Sequence, residues 1–231
     1  MQMNSIFCGI EKMSLVDFDG KIACTLFTGG CNYRCPFCHN SPLINEQPLL
    51  DLNEIITYLE KRKRMLDAVV ISGGEPTLHK DLPVILKVIK ELGYVIKLDT
   101  NGTNPQMLKE LIDNKLIDYV AMDIKGSLNI YHLITGVKNP LLDNIKESIN
   151  ILKQSNIDFE FRTTLVKEYH DLKTINEMKE LLKGTKKLFL QKFVLRETCL
   201  DQSLNEIDIL TATKYKEILE KSVENVYLRG Y

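Results

Sequence analysis

The chain has 231 residues, 44% of them hydrophobic and 26% charged, ordinary globular values that exclude a largely disordered protein. Thirty basic against thirty-one acidic side chains leave a formal net charge of −1, so no broad field draws the chain to nucleic acid or to an anionic membrane. No apolar run reaches the roughly 18–20 residues that cross a bilayer. Residues 1–10 hold neither a basic side chain nor a long apolar core, which does not read as a secretory leader and makes a cytoplasmic, reducing setting the expectation.

In chain order, residues 22–28 read as a strand and 52–64 as a helix that Asp51 can cap. Residues 68–72 form a compact apolar strand that runs into Gly73-Gly74. Residues 81–92 carry apolar side chains at helical spacing and stop at Gly93. The alternation continues: strand 95–99, helix 105–114, strand 119–124, helix 142–154, strand 158–166, helix 175–183, strand 187–193. Beyond lie a polar stretch through Asn205, a helix near 210–223 and a short apolar segment, 226–228. Strands alternating with helices imply βαβ units and a parallel sheet. Six strands between residues 22 and 193 suit a partial (βα)6 barrel better than a closed eight-stranded one. No linker rich in Pro, Gly or Ser divides the chain, so one α/β domain spanning 1–231, with its core at about 22–193, is expected.

Polar residues gather where the strands end. Gly73-Gly74-Glu75 follows one strand, Asp99-Thr100-Asn101-Gly102 ends another, and Asp123-Ile124-Lys125 ends a third. In parallel α/β sheets ligands bind at the carboxyl ends of the strands. Just after the first of the six strands, FTGGCNYRCPFCHN places Cys31, Cys35 and Cys38 in C-x3-C-x2-C order, apart from the scattered Cys8, Cys24 and Cys199. Three thiolates on a short loop can converge on one metal centre. Structural zinc asks for four protein ligands, and its fourth here would have to be His39, an awkward neighbour of Cys38. Cys35-Pro-Phe-Cys38-His39 also spells the haem c attachment pattern, which needs an exported chain. An iron–sulfur cluster with one iron open to an exogenous ligand fits three cysteines best.

With these motifs in this order, the chain resembles the radical S-adenosylmethionine (SAM) enzymes, and among them the short glycyl-radical-enzyme activating proteins of the anaerobic ribonucleoside-triphosphate reductase type. The resemblance runs from Gly9 to about Phe193. It implies one [4Fe-4S] cluster on Cys31, Cys35 and Cys38, with SAM chelating the fourth iron. Gly73 and Gly74 would let the backbone approach the methionine moiety, with Glu75 nearby, although the pair also suits an ordinary turn. Asp99, Thr100 and Asp123 would line the SAM site, with Asn101 beside them, and the first three could hold a monovalent cation; strand-end acids also serve as helix caps. Lys125 and Arg162 would offset SAM's carboxylate or reach its ribose. Phe37 and Phe193 would flank the adenine, or belong to the core.

The chemistry implied is electron transfer into bound SAM, release of a 5′-deoxyadenosyl radical, and removal of hydrogen from a glycine of a partner glycyl-radical enzyme. No residue is required as general acid or base. Val16-Asp17-Phe18-Asp19-Gly20 partly matches a V-D-G-P-G segment, which makes Asp17 a candidate contact for the substrate peptide, as is His39 in Cys38-His39-Asn40. A flavodoxin or ferredoxin would be the reductant, and neither nucleic acid nor membrane is an expected partner. His79, His132 and His170 read as surface residues. A small-molecule radical SAM enzyme of the carboxydeazaguanine synthase kind and a non-catalytic zinc module are the alternatives.

Overall fold

The computed structural model describes residues 4–231; Met1, Gln2 and Met3, the start of the segment judged above for a leader, lie outside it. Its elements are β1 (Phe7–Ser14), β2 (Ala23–Thr28), α1 (Leu52–Arg62), β3 (Ala68–Gly73), α2 (Leu82–Glu91), β4 (Val95–Thr100), α3 (Pro105–Asp113), β5 (Tyr119–Asp123), α4 (Tyr131–Thr135), α5 (Leu142–Gln154), β6 (Asp158–Leu165), α6 (Leu172–Leu181), β7 (Lys187–Lys192), α7 (Ile209–Leu219) and β8 (Asn225–Arg229). They form an α/β fold with an eight-stranded sheet whose order follows the chain. β1 runs antiparallel to β2, and the β2–β3, β3–β4, β6–β7 and β7–β8 pairs are parallel.

The helices start where short polar side chains can satisfy free backbone amides. The carboxylates of Asp51, Asp171 and Asp208 accept from Asn53 N, Thr174 N and Thr211 N, opening α1, α6 and α7. The Asp171 cap explains why α6 begins at Leu172 and not at the apolar Ile175. Leu82, Ile85, Leu86 and Ile89, the residues that mark α2 in the sequence, are fully buried. No helix among the described residues is long and apolar enough to cross a membrane.

The chain divides into two compact units, taken one at a time. Among the described residues the first comprises 4–32, Pro42–Ala121 and Asn144–Asp158. Along β2, β3 and β4 one face carries Cys24, Leu26, Val69, Ile71, Ile96 and Leu98, all fully buried. The other face changes character along the strands. At their amino ends Ala23, Ala68, Val70 and Val95 are small enough to seat Phe18 from the β1–β2 turn; towards the carboxyl ends it carries Thr25, Ser72, Lys97 and Asp99.

The second unit comprises Tyr33–Ser41, Met122–Asp143 and Phe159–Tyr231. Here β8 extends the sheet beyond β7, and the Arg229 guanidinium lies 3.8 Å from the centre of the Phe189 ring. Helix α4 ends at Gly136, whose φ of 66° is the left-handed conformation a helix terminator adopts. A Cβ there would stand 2.3 Å from the Arg34 carbonyl oxygen.

The six expected strands are present as β2 to β7, and two more flank them. β1 exposes Glu11, Lys12 and Met13 and buries only its ends, so it lacks the alternation that marks a strand. β8 is five residues long and only one of them is buried. The short α4 gives no periodic signal either.

Two glycines test the local argument. Gly20 also has a left-handed φ, 75°, but no atom within 4 Å of its would-be Cβ. Gly20→Ala should therefore cost about 1–2 kcal/mol from backbone conformation alone. Gly136→Ala should cost a further ~1–3 kcal/mol for the collision with Arg34. Thermal melts of the two variants side by side check this; equal losses would contradict it.

Candidate functional site

The residues singled out by the sequence fall on both units. In the first, Cys31 follows β2 on a loop held through its backbone. Gly30 N donates to Leu43 O at 2.8 Å, Cys31 N to Ile44 O at 3.2 Å and Glu75 N to Gly30 O at 2.8 Å. His79 Nε2 lies 2.7 Å from Gly29 O, and because a carbonyl only accepts, that nitrogen carries the proton. His79 is thus a half-buried brace of the cysteine loop and not a surface residue. Gly73 and Gly74 are needed for the same approach of backbones. A Cβ on Gly74 would fall 1.9 Å from Gly30 O, and one on Gly73 2.4 Å from Thr28 N.

Glu75 is fully buried. Its Oε1 accepts from Thr77 N, Thr77 Oγ1 and Thr100 Oγ1, and its Oε2 from Asn101 N at 2.6 Å. Burial pushes its carboxyl above the ordinary range, while those donors pull it back. Asn101 passes the connection on: its Nδ2 donates to Asn32 Oδ1 at 2.9 Å, next to Cys31. Glu75, Thr100 and Asn101 therefore form one network linking the ends of β3 and β4 to the cysteine loop. Asn32 carries no signal of its own in the sequence.

Asp99 accepts from Ser72 Oγ at 3.1 Å and pairs with Lys97 at 3.6 Å. Lys97 is only 4% exposed; its ammonium donates to Asp17 O at 2.5 Å and lies 5.7 Å from the centre of the Phe18 ring. The Asp17 carboxylate accepts from Thr25 Oγ1 at 2.6 Å. The turn bearing Asp17 thus seats Phe18 at the amino ends of β2 to β4, the opposite end of those strands from Glu75 and Thr100. A lysine inside a strand reads as a solvated face, which is why the sequence did not single out Lys97.

The second unit holds Cys35, Phe37, Cys38 and His39 on one loop. Tyr33 Oη donates to Pro140 O at 2.7 Å and Arg34 N to Thr135 O at 2.8 Å, while Cys38 N closes a turn onto Cys35 O. Asp123 binds two cations, Lys125 Nζ at 2.7 Å and Arg162 Nε at 3.0 Å. Burial alone would raise the Asp123 carboxyl, but Lys125 and Arg162 outweigh it and bring it to about 2. Burial would likewise lower the Lys125 ammonium, yet the Asp123 carboxylate and Cys35 as a thiolate raise it. Lys125 lies 6.0 Å from the centre of the Phe37 ring, and it lowers the Cys38 thiol that burial raises.

His39 Nε2 donates to Val194 O at 2.7 Å, and its ring stacks on Phe193 with centroids 6.2 Å apart. Phe193 is fully buried, with Phe37 edge-on at 6.4 Å. His170, expected at the surface, is buried: Nε2–H donates to Lys125 O and Nδ1 accepts from Val166 N, both at 3.0 Å. A neutral ring satisfies both bonds, and burial holds its basicity down. His132 is exposed, as the sequence suggests.

The donors suit the expected groups unevenly. None of the three cysteines of the motif is in a disulfide; Cys35 is buried and Cys31 and Cys38 are partly so. Soft thiolates beside a fixed ammonium fit an anionic iron–sulfur cluster. Among the described residues no three His, Cys, Asp or Glu side chains close on a single metal ion; a cubane asks for a different spacing, since each cysteine meets its own iron. The hard-oxygen set implied for a monovalent cation is largely committed, Thr100 to Glu75 and Asp123 to Lys125 and Arg162.

Comparison with known proteins agrees with this reading of the motifs. The family model of the radical SAM superfamily matches residues 25–182. A protein of Methanocaldococcus jannaschii named as a glycyl-radical enzyme activating enzyme is 33% identical over 235 residues, 98% of this chain and 97% of that one. The 7-carboxy-7-deazaguanine synthase of Halobacterium salinarum is 36% identical over a shorter stretch of 109 residues, 45% of this chain and 40% of its own. Among solved structures, Streptococcus suis SuiB bound to S-adenosylmethionine has a TM-score of 0.69 at 16% identity, over 87% of this chain and 48% of that one, a likeness of fold. The chain therefore belongs to the radical SAM superfamily, and it is a radical SAM enzyme with an end-to-end relative among the glycyl-radical enzyme activating enzymes.

Proposed function

We propose that this enzyme activates a partner glycyl-radical enzyme by removing a hydrogen atom from a glycine of its chain. The observation that carries the reading is the end-to-end likeness to the Methanocaldococcus jannaschii protein: a match over nearly both whole chains shares the additions around the core as well as the core. When bound, a [4Fe-4S] cluster supplies the electron that splits SAM into methionine and a 5′-deoxyadenosyl radical.

The rest is work for this chain's own residues. Cys31, Cys35 and Cys38 each offer a thiolate from eight consecutive positions. Lys125 offsets the charge at Cys35 and Cys38, and Asp123, itself held by Arg162, fixes its ammonium. Gly73 and Gly74, packed against Thr28 and Gly30, set the strand-end backbone that would receive SAM beside Asp99, Thr100 and Asn101, with Glu75 framing them. No proton needs to be held for transfer, so no general acid or base is assigned. The preferred partner is an anaerobic ribonucleoside-triphosphate reductase, with a flavodoxin or ferredoxin as reductant in the cytoplasm.

One observation favours a second reading, action on a small molecule: the higher identity to the carboxydeazaguanine synthase, which nonetheless spans less than half of this chain. Anaerobic incubation of the reconstituted enzyme with SAM, reductant and a glycyl-radical protein separates the two. A glycyl signal in electron paramagnetic resonance is expected. SAM cleavage that requires a pterin-like substrate and yields no such signal would favour the second reading.

Two further outcomes are expected. Cys31→Ala, Cys35→Ala and Cys38→Ala should each abolish SAM cleavage and lower iron well below about four per chain, while Cys8→Ala, Cys24→Ala and Cys199→Ala retain both; iron analysis and product chromatography read this, and stoichiometric zinc in place of iron would refute it. Lys125→Met should make the cluster harder to reduce, because a positive charge that acts on Cys35 and Cys38 is lost. Lys125→Arg should restore the potential, and a redox titration checks both.

A further inference from the structure

The segment that follows β7 is tied to the cysteine loop at three separate places. Asp201 N donates to Pro36 O at 3.0 Å, His39 donates to Val194 O, and Ser41 Oγ donates to Thr198 O. These anchors fall on both sides of Cys38. The segment is itself folded back into a compact turn, with Cys199 N on Arg196 O at 2.9 Å. Gln202 closes that turn: its amide nitrogen reaches Cys199 O at 2.7 Å and Arg196 O at 3.1 Å. The other end of the loop is fixed independently, by Tyr33 and Arg34 on Pro140 and Thr135.

A loop ordered only by its metal must lose its conformational freedom when the metal binds, and that loss is subtracted from affinity. A loop fixed at both ends has lost it already on folding. We propose that residues 194–202 form a clasp that holds the loop bearing Cys35 and Cys38 in its ligand-ready shape before any cluster binds, with Ser41 and Gln202 as its positioning residues. The inference rests on the reading of Cys35 and Cys38 as cluster ligands. It also gives His39 a task within the chain, besides any contact with a substrate peptide.

The test uses the full chain with Ser41→Ala and Gln202→Leu combined, neither residue being a ligand. In the metal-free protein, backbone amides of residues 35–41 should exchange with deuterium faster than in the parent, while those of β2 to β4 do not change. In the anaerobically reconstituted protein, iron should pass to a chelator about tenfold faster, the loss expected for one or two hydrogen bonds. Ser41→Thr, which keeps the hydroxyl, should hold iron as the parent does. Unchanged exchange in residues 35–41 together with unchanged iron release would overturn the clasp, as would exchange that rises throughout the chain, which marks general destabilisation. A parent protein that takes up no iron would defeat the proposed function, while amide exchange in the metal-free chain would still decide the clasp.

Discussion

A buried carboxylate with nothing positive bonded to it holds the first unit's strand ends in place. Glu75 has lost its water, and four protein donors replace it: two from Thr77, one from Thr100 and one from Asn101. Such a group is tolerated only if every donor is in position, because the same burial that strengthens each bond makes any missing one costly. The network reaches Asn32 through Asn101 and so ends beside Cys31. The glycines follow from the same demand. Glu75 N can reach Gly30 O only because Gly74 brings bare backbone against it.

In the second unit the controlling interaction is ionic. Asp123 gives one oxygen to Lys125 and the other to Arg162, so two cations share one anion and a net positive charge remains near Cys35 and Cys38. His170 adds a neutral support, bonding the Lys125 carbonyl while Tyr215 bonds its own. The position of the ammonium is thus set by its main chain as well as by its counter-ion. Aromatic rings complete the surroundings, Phe37 being flanked by Tyr169 and Phe193.

Much of this was legible in the sequence because it is periodic or compositional. The apolar spacing of α2, the Asp51 cap, the strand-end acids and the spacing of Cys31, Cys35 and Cys38 each depend on residues close together in the chain. What escaped depends on partners far apart. His170 and Lys97 look like solvated polar residues until the fold supplies Lys125 O, Val166 N, Asp17 O and Asp99 around them. Asn32 matters because Asn101 and Thr103, some seventy positions away, bond it. β1 and β8 escaped for a different reason: β1 buries only its ends and β8 a single residue, so neither carries the alternation that marks a strand.

The two faces of β2, β3 and β4 have different tasks. One is apolar along most of its length, Cys24, Leu26, Val69, Ile71, Ile96 and Leu98; the other runs from alanines under Phe18 to Ser72, Lys97 and Asp99. Because neighbouring positions in a strand point opposite ways, cohesion and chemistry are written on alternate letters of the same short words. Drift at the odd letters can re-aim such an enzyme at a new substrate while the even letters keep it standing, a separation that lets one scaffold diversify without first coming apart.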